Sequence, residues 1–376
     1  MAIQSTGRGR DTHLIKIILG YEPGTRKRRY YTETFKGGKK DARLREAELK
    51  IQHRDKRLVL SSEMTFRLCF EQYCDEARLR LSLNCFNTYE SFIKRYLLPP
   101  LGDKKLKELV NEDFQQVCDS MSARDLSPYT VRALHTAAKA VITWAMKKRL
   151  LSEDILKGVT LPKIPKPQPE FLTYKEMQDF FDTAPNYWYG NAFKFQFVTG
   201  LRNQELMALR WEDINFETRT SCIRRACCWV TGKFQGFKCT KTGEDRIIEL
   251  DPPTIGFLKR LKTAQETHIK LRKSRGLLYG DERLIFCTQD GRVPNMNAVR
   301  HCFKLILNKI GIKRRFRWYG VRHTHATHLL DINGANPKMV ANRMGHSVVM
   351  LFSIYGHEMP GQQREALSKI SSRVTL

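Results

Sequence analysis

The order of hydrophobic and polar positions along the chain divides it into stretches of different kinds. In the first sixty residues, "HLIKIILGY" and "RRYYTETF" are rich in β-branched and aromatic residues and flank the turn-prone "EPGT". "KKDARLREAELKIQ" then carries helix-forming residues with apolar positions at helical spacing. This pattern predicts a small α+β module, a sheet followed by a helix, over residues 1–60.

Residues 64–160 show helical periodicity throughout. "TFRLCFEQYCDEAR" starts at the capping residue Thr65, and a longer apolar pattern starts at Ser127 with Pro128 in the first helical position. An all-α domain is therefore predicted. The proline-rich "LPKIPKPQPE", residues 161–170, favours extended backbone and at roughly 3.1 Å per residue could separate two lobes by about 30 Å. We interpret it as a linker.

Residues 171–376 return to a helical pattern with one exception. "TSCIRRACCWVTGKFQGFKCTKTGEDRIIEL" alternates β-branched and polar positions and is interrupted by glycine turns, which is typical of antiparallel strands. The stretch predicts a mixed, mainly α domain with a small antiparallel sheet. The chain is thus expected to be a multidomain protein, as its 376 residues also suggest.

The charge of the chain narrows the choice of partner. There are 66 Lys and Arg against 39 Asp and Glu, a formal net charge of +27. Such an excess argues for a polyanion, with nucleic acid as the leading candidate and a membrane surface as the alternative. No stretch approaches 18 apolar residues and the start lacks a signal peptide, so we expect a soluble cytoplasmic protein without a membrane partner.

The segment "RWYGVRHTHATHLL" concentrates cationic and hydrogen-bonding side chains on one short element. It allows three interpretations: a metal site built from His323, His325 and His328, a catalytic helix that holds an anion, or solvated side chains. His325 and His328 could share a helix face, but no Cys or acidic residue follows at ligand spacing, so no metal site is predicted. Arg322 alone would more often be a surface or ion-pair residue.

Five short motifs overturn that ordinary interpretation by their order and spacing. They are "TGLRNQEL" with Arg202, "TKTG" with Lys241, "YGVR" with Arg322, "MGHS" with His346 and, nine residues later, "SIYGH" with Tyr355. In these motifs the chain resembles the tyrosine site-specific recombinases, the phage integrase family. The resemblance implies the DNA breaking-rejoining fold: an arm-binding module (1–60), a core-binding domain (64–160) and a catalytic domain (171–376).

The resemblance also implies a chemistry that these residue types can perform. The Tyr355 hydroxyl would attack a DNA phosphodiester, form a 3′-phosphotyrosine and release a 5′-hydroxyl, which conserves the bond energy for rejoining. Arg202 and Arg322 would stabilise the charge on the non-bridging oxygens in place of a metal ion. Lys241 would protonate the leaving oxygen, and His346 would donate a hydrogen bond to the phosphate. Neither a metal nor a nucleotide cofactor is expected.

One position departs from the family pattern. Tyr319 stands where the family usually has a histidine before the second arginine, and a phenol is a poorer proton acceptor near neutrality than imidazole. We expect Tyr319 to hydrogen-bond the phosphate or its neighbours, and Tyr319→His to leave cleavage equal or faster.

The assembly expected from the resemblance is a homotetramer that exchanges strands between two double-stranded DNA sites. The two lobes would close on core DNA, the first module would bind arm sites, and Ala366, Leu367 and Ile370 near the C-terminus would dock on a neighbouring subunit. A DNA-bending protein and an excision factor are further candidate partners. The alternatives are a catalytically silent DNA-binding regulator of the same fold and a type IB topoisomerase.

Overall fold

The computed structural model describes residues 3–5, 12–21, 28–54, 64–165, 170–239, 245–281, 283–332 and 335–355. By its internal contacts the chain divides into two compact units, residues 1–165 and 166–376, and the division falls within the proline-rich stretch. Within the described ranges, no helix combines the length and apolar content needed to cross a bilayer.

The first unit begins with a three-stranded antiparallel sheet and one helix. Their bounds are β1 (Ile3–Ser5), β2 (Thr12–Tyr21), β3 (Arg28–Lys36) and α1 (Lys39–Arg54), with strand order β1-β2-β3. Alternate residues Ile15 and Ile17 of β2 face inward and are buried with Leu49 of α1. Arg45 of α1 also donates a hydrogen bond to Glu33 of β3 at 2.9 Å. The predicted sheet and helix are both present.

The rest of the first unit is helical, as predicted. Its helices are α2 (Phe66–Arg80), α3 (Leu83–Phe92), α4 (Leu98–Leu101), α5 (Asn111–Ala123) and α6 (Pro128–Lys147). Thr65 caps α2 by accepting a hydrogen bond from the Leu68 amide, and Ser127 caps α6 by accepting one from the Tyr129 amide. One core of apolar side chains, including Phe66, joins these helices.

The second unit contains both helices and short strands. Its helices are α7 (Tyr174–Thr183), α8 (Gly190–Thr199), α9 (Asn203–Leu206), α10 (Pro252–Ser274), α11 (Met296–Lys309), α12 (Gly320–Thr327), α13 (Pro337–Met344) and α14 (Val348–Tyr355). Its strands are β4 (Ile214–Asn215), β5 (Thr220–Ile223), β6 (Arg225–Val230), β7 (Lys233–Cys239) and β8 (Arg246–Glu249).

The predicted antiparallel sheet is confirmed, but it forms as two pieces. One has the order β4-β5-β8, and the other is the hairpin β6-β7. The chain leaves the first piece after β5, makes the hairpin, and returns as β8 to pair Cys222 with Ile247. The hairpin is therefore an excursion from the sheet, and β8 brings Arg246 back to the body of the unit.

Two apolar clusters in the second unit meet at α12. The larger cluster is aromatic, with Phe180, Phe193 and Phe303 in mutual ring contact, and it includes Val321. The smaller cluster holds Ala326 and joins α12 to α13 and α14. Because both clusters bury residues of α12, the helix is fixed on two sides and the side chains between these contacts have defined positions.

Candidate active site

The first arginine of the predicted set follows the end of α8. This helix ends at Gly200 in the left-handed conformation with φ of +67°. Arg202 then precedes α9, and Glu205 accepts hydrogen bonds from the Arg202 backbone amide at 3.0 Å and from its Nη1 at 2.8 Å. A carboxylate three residues into a helix commonly reaches back in this way. It holds both the backbone and the guanidinium of Arg202.

The second arginine lies on α12 and is fully buried. Arg322 Nη1 donates to the Gly200 carbonyl at 2.5 Å, while Nη2 donates to the Met344 carbonyl and lies 2.9 Å from His346 Nε2. Burial, followed by the charge of Arg202, lowers the pKa of Arg322 to about 10. The guanidinium is still protonated at neutral pH, so a positive charge is held deep in the unit.

The C-terminal end of α13 gathers three guanidiniums. Its last carbonyls lack partners within the helix and carry partial negative charge. Arg246 Nε donates to the Arg343 carbonyl at 3.1 Å, Arg322 to the Met344 carbonyl, and Arg202 Nη2 to the Gly345 carbonyl at 2.6 Å. We call residues Arg343–Gly345 the carbonyl turn. It brings together Arg202 and Arg322, which are 120 positions apart in the chain.

Two glycines make this packing possible. A Cβ on Gly200 would lie 2.4 Å from Cδ2 of His325, which is closer than atoms can approach. Gly345 has φ of +63°, and a Cβ there would lie 3.3 Å from Arg202 Nη1. The left-handed backbone at each glycine ends a helix, and the missing side chain leaves room for the arginine or histidine beside it.

His346 follows the carbonyl turn directly. A guanidinium has no acceptor, so Arg322 Nη2 donates to His346 Nε2 and the proton of the neutral ring is on Nδ1. Burial, then the charges of Arg322 and Arg202, lower the pKa of His346 to about 3. The ring is therefore neutral at physiological pH, and its free donor is Nδ1, not Nε2.

Two buried donors at this place have no acceptor among the described residues. They are Nε of Arg322 and Nδ1 of His346. A buried donor without an acceptor costs about 1–3 kcal/mol, so such groups call for an explanation. An anion that accepts from both groups, between charges already supplied by Arg202 and Arg322, is the explanation that fits their chemistry.

The remaining predicted residues are placed less completely. Tyr319 immediately precedes α12, is 42% exposed and packs edge-on against His323 with ring centroids 5.2 Å apart. Lys241 lies outside the described residues. Tyr355 is the last residue of α14, a helix that begins two residues after His346, and the structure describes its backbone but not its side chain.

The three histidines of α12 and its continuation have separate surroundings. His325 Nδ1 donates to the Phe197 carbonyl at 2.9 Å and Nε2 accepts from Arg343 at 3.3 Å, while His328 lies 2.8 Å from the Leu172 carbonyl. Burial lowers the pKa of His323 to about 4 and that of His325 to about 3. His325 is thus a neutral bridge between α8 and α13, beside Gly200.

Sequence reasoning did not identify three charged residues of this site. Glu205 was visible as part of "TGLRNQEL", and its spacing from Arg202 is that of a capping carboxylate. Arg246 donates both terminal nitrogens to Glu205, at 3.1 and 2.6 Å, and Arg343 binds the carbonyls of Glu249 and Val198. Neither arginine has a local signal, because its contacts come from distant segments.

Comparisons with known proteins find a matching family profile and relatives of similar sequence. The profile of the phage integrase family matches residues 170–361, and that of the phage integrase N-terminal SAM-like domain matches residues 65–122. The ICEBs1 integrase of Bacillus subtilis (strain 168) is 21% identical over 359 residues, which cover 95% of this chain and 96% of that protein. IntQ of Escherichia coli (strain K12), named as a defective protein, is 26% identical over 345 residues, covering 83% and 84%.

A solved structure shows the same fold. The Tn1549 transposon integrase in complex with transposon right end DNA aligns with a TM-score of 0.66 at 19% identity, covering 82% of this chain and 100% of that chain. The predicted fold class, a small sheet-containing catalytic unit preceded by helices, is confirmed by this likeness.

Proposed function

The chain belongs to the phage integrase family, and from this premise we propose how its residues cleave DNA. It is a site-specific recombinase that breaks and rejoins DNA strands, and double-stranded DNA is its partner. The observation that supports a site at the carbonyl turn is the convergence there of Arg202, Arg322 and His346, with two donors left unsatisfied.

The proposed reaction is a transesterification at one scissile phosphate. Tyr355 Oη attacks phosphorus, the new P–O bond forms a 3′-phosphotyrosine, and the bond to the 5′-oxygen breaks. The phenol loses a proton and the leaving oxygen gains one, which we assign to Lys241. Negative charge grows on the non-bridging oxygens, and Arg202 and Arg322 lie where fixed positive charge can stabilise it.

The burial of Arg322 determines how it meets the phosphate. Nη2 already donates to the Met344 carbonyl and to His346, and Nη1 uses one of its two N–H groups on the Gly200 carbonyl. The phosphate therefore accepts from the unpartnered Nε or from the second N–H of Nη1, or takes the place of one carbonyl. His346 donates from Nδ1. Tyr319, half-exposed at the start of α12, replaces the family's usual histidine and acts as a hydrogen-bonding residue near the phosphate.

A basic groove beside this site supports contact with the DNA backbone. The groove has a volume of about 990 Å³, and its lining includes Asn203 and Tyr319, both next to site residues. Five exposed cations surround it and form no ion pair with an acidic residue in the described part of the chain: Arg300, Lys304, Lys313, Arg315 and Arg317. Exposed cations that are not paired with a carboxylate are available to phosphates. We assign this basic groove to duplex flanking the cleavage site.

The assembly is proposed on the family's pattern. Four copies exchange strands on two core sites, the sheet and helix of residues 1–60 bind arm sites, and residues after Tyr355 dock on a neighbouring copy. A DNA-bending protein and an excision factor are the candidate accessory partners. The Pro-rich residues 161–170 link the helices of the first unit to the catalytic unit on the same duplex.

The test is covalent capture on the attachment sequence that flanks the protein's own gene. A nick close to the cleavage position lets the released fragment diffuse away, so the wild type should accumulate a protein–DNA adduct on a denaturing gel. Tyr355→Phe should form no adduct, while Tyr174→Phe, at an exposed tyrosine of α7, should form it normally. Adduct in Tyr355→Phe would contradict the assignment, and no adduct in the wild type would favour a silent DNA-binding regulator.

A further inference from the structure

Arg246 makes contacts of a kind that the predicted catalytic residues also make. It lies at the start of β8 with a side chain only 12% exposed. Its two terminal nitrogens donate to the two oxygens of Glu205, at 3.1 and 2.6 Å, and its Nε donates to the carbonyl turn at Arg343, at 3.1 Å. All of its donor groups are therefore directed at the partners that surround Arg202.

Glu205 is shared between two arginines. Its side chain is 1% exposed, and it accepts from Arg202 and Arg246 at the same time. Burial, which raises the pKa of a carboxyl, is outweighed by the hydrogen bonds and charge of Arg246 and then by Arg202, so the pKa of Glu205 is lowered to about 2. The carboxylate is ionised at any working pH and sits beside the arginine that the reaction needs.

The charges of this group have a simple consequence. Without Arg246, Glu205 would cancel the charge of Arg202, and only Arg322 would remain uncompensated. With Arg246 present, three guanidiniums and one carboxylate lie around the carbonyl turn, and the group carries a net charge of +2. Attack on a phosphodiester turns a monoanion into a five-coordinate species with two negative charges, which a net +2 matches.

We infer that Arg246 is a positioning residue for cleavage: it neutralises Glu205, so that Arg202 keeps its charge for the phosphate, and it ties β8 to the carbonyl turn. The inference rests on the proposed function. It assigns Arg246 no contact with DNA, and it places its effect on the rate of cleavage and not on the affinity for the duplex.

The experiment is a double-mutant cycle in single-turnover cleavage of the nicked duplex. Arg246→Ala should slow adduct formation by about 10- to 100-fold, because Glu205 then competes with the phosphate for Arg202. In a protein that already carries Glu205→Gln, Arg246→Ala should slow adduct formation by no more than about 3-fold, because the negative charge that Arg246 neutralises is absent. DNA affinity at fixed salt should stay within about 3-fold in all variants.

A matched control separates this role from general support of the fold. Arg225 on β6 also bridges acidic residues in this unit, with hydrogen bonds to Asp213 at 3.2 Å and Glu212 at 3.0 Å and a side chain 18% exposed. Arg225→Ala should lower thermal stability about as much as Arg246→Ala while leaving the cleavage rate of the folded protein unchanged. Arg246→Lys should retain part of the rate, because it keeps the charge and loses the two-pronged contact.

Three outcomes overturn the inference while the wild type still cleaves. They are an Arg246→Ala rate equal to wild type, an equal loss with and without Glu205→Gln, and a loss of DNA affinity as large as the loss of rate. A wild type that forms no adduct is a different failure, because it defeats the proposed function itself.

Discussion

The arginines around the carbonyl turn and the cations of the basic groove have opposite surroundings. Arg202, Arg246 and Arg322 are largely buried, and their nitrogens bind backbone carbonyls or Glu205. The groove cations, such as Lys313 and Arg315, are exposed and have no ion pair within the described ranges. The buried arginines are thus suited to hold a fixed charge beside one phosphate. The exposed cations of the groove are suited to contact many phosphates of the DNA backbone.

The strongest contrast should come from one substitution made in both regions. Arg322→Lys should slow adduct formation by about 10²- to 10³-fold, because a single ammonium nitrogen does not reproduce the planar fork whose two terminal nitrogens reach the Gly200 and Met344 carbonyls separately. Arg315→Lys, in the groove, should stay within about 2-fold of wild type because exposed phosphate contact tolerates either cation. If both substitutions slowed single-turnover cleavage equally, the buried and the exposed arginine would not differ in function as proposed.

The groove should instead control affinity. Replacing Lys313 and Arg315 with Gln should reduce the slope of log affinity against log salt by about 2, and weaken binding at 0.1 M salt by about 10- to 100-fold. Lys259 and Lys270 on α10 do not line the groove, so the same pair of changes there should alter the slope less. Filter binding over a salt series measures both. An unchanged slope would remove the groove from the DNA interface.

The two regions also contain matched glycines. Gly345 and Gly311 both have positive φ, +63° and +79°, but a Cβ at Gly345 meets Arg202 while one at Gly311 meets nothing within 4 Å. Alanine at either position should cost about 1 kcal/mol of backbone strain. Only Gly345→Ala should also slow cleavage, by about 10-fold, because it shifts the Arg202 guanidinium. Comparable rates for the two variants would show that the carbonyl turn does not position the arginine.

Burial of His325 makes the stability of the second unit depend on pH. The pKa of His325 is lowered from 6.5 to about 3. Between pH 6.5 and pH 3, this histidine is therefore protonated in the unfolded chain and neutral in the native chain. Stability is complete above pH 6.5 and falls with decreasing pH, by at most about 1.4 kcal/mol per pH unit for this residue. His325→Gln should flatten the fall in urea midpoint between pH 7 and pH 5, whereas His301→Gln, at an exposed α11 position, should not.

The smallest effect on the cleavage rate is expected at Tyr319, which lies between the basic groove and the carbonyl turn. Tyr319 lines the groove and precedes Arg322, and Tyr319→His should leave the cleavage rate equal or up to about 3-fold faster, because imidazole is the better proton acceptor near neutrality. The initial rate of adduct formation measures this. A collapse of the rate would mean that the phenol has a role of its own.

The fold was accessible from local patterns, and the site only in part. Ser127, Pro128 and the spacing of apolar residues predict helix α6, and the glycine turns predict the small sheet. Arg202, Arg322 and His346 were found because their motifs are local, and the structure brings them to one carbonyl turn. Their roles, and those of Lys241, Tyr319 and Tyr355, stay predictions.

What local patterns cannot show is which distant groups share a partner. Arg246 appeared only as a polar position on a strand, yet its contacts come from segments 41 and 97 residues away. The tautomer of His346 also depends on Arg322, 24 residues earlier. Such features arise from tertiary packing, which places α12 between two apolar clusters and ends α13 beside three guanidiniums.

In the proposed mechanism, Arg202 and Arg322 hold one phosphate in line with the phenol of Tyr355. A crystal structure of the protein on nicked duplex with orthovanadate, which mimics the five-coordinate phosphorus, would show this geometry. We expect vanadate oxygens within about 2.7–3.2 Å of both guanidiniums and of His346 Nδ1, with Tyr355 Oη in an axial position. Vanadate bound at the nick without Arg322, or with Tyr355 of every copy out of reach, would contradict the account.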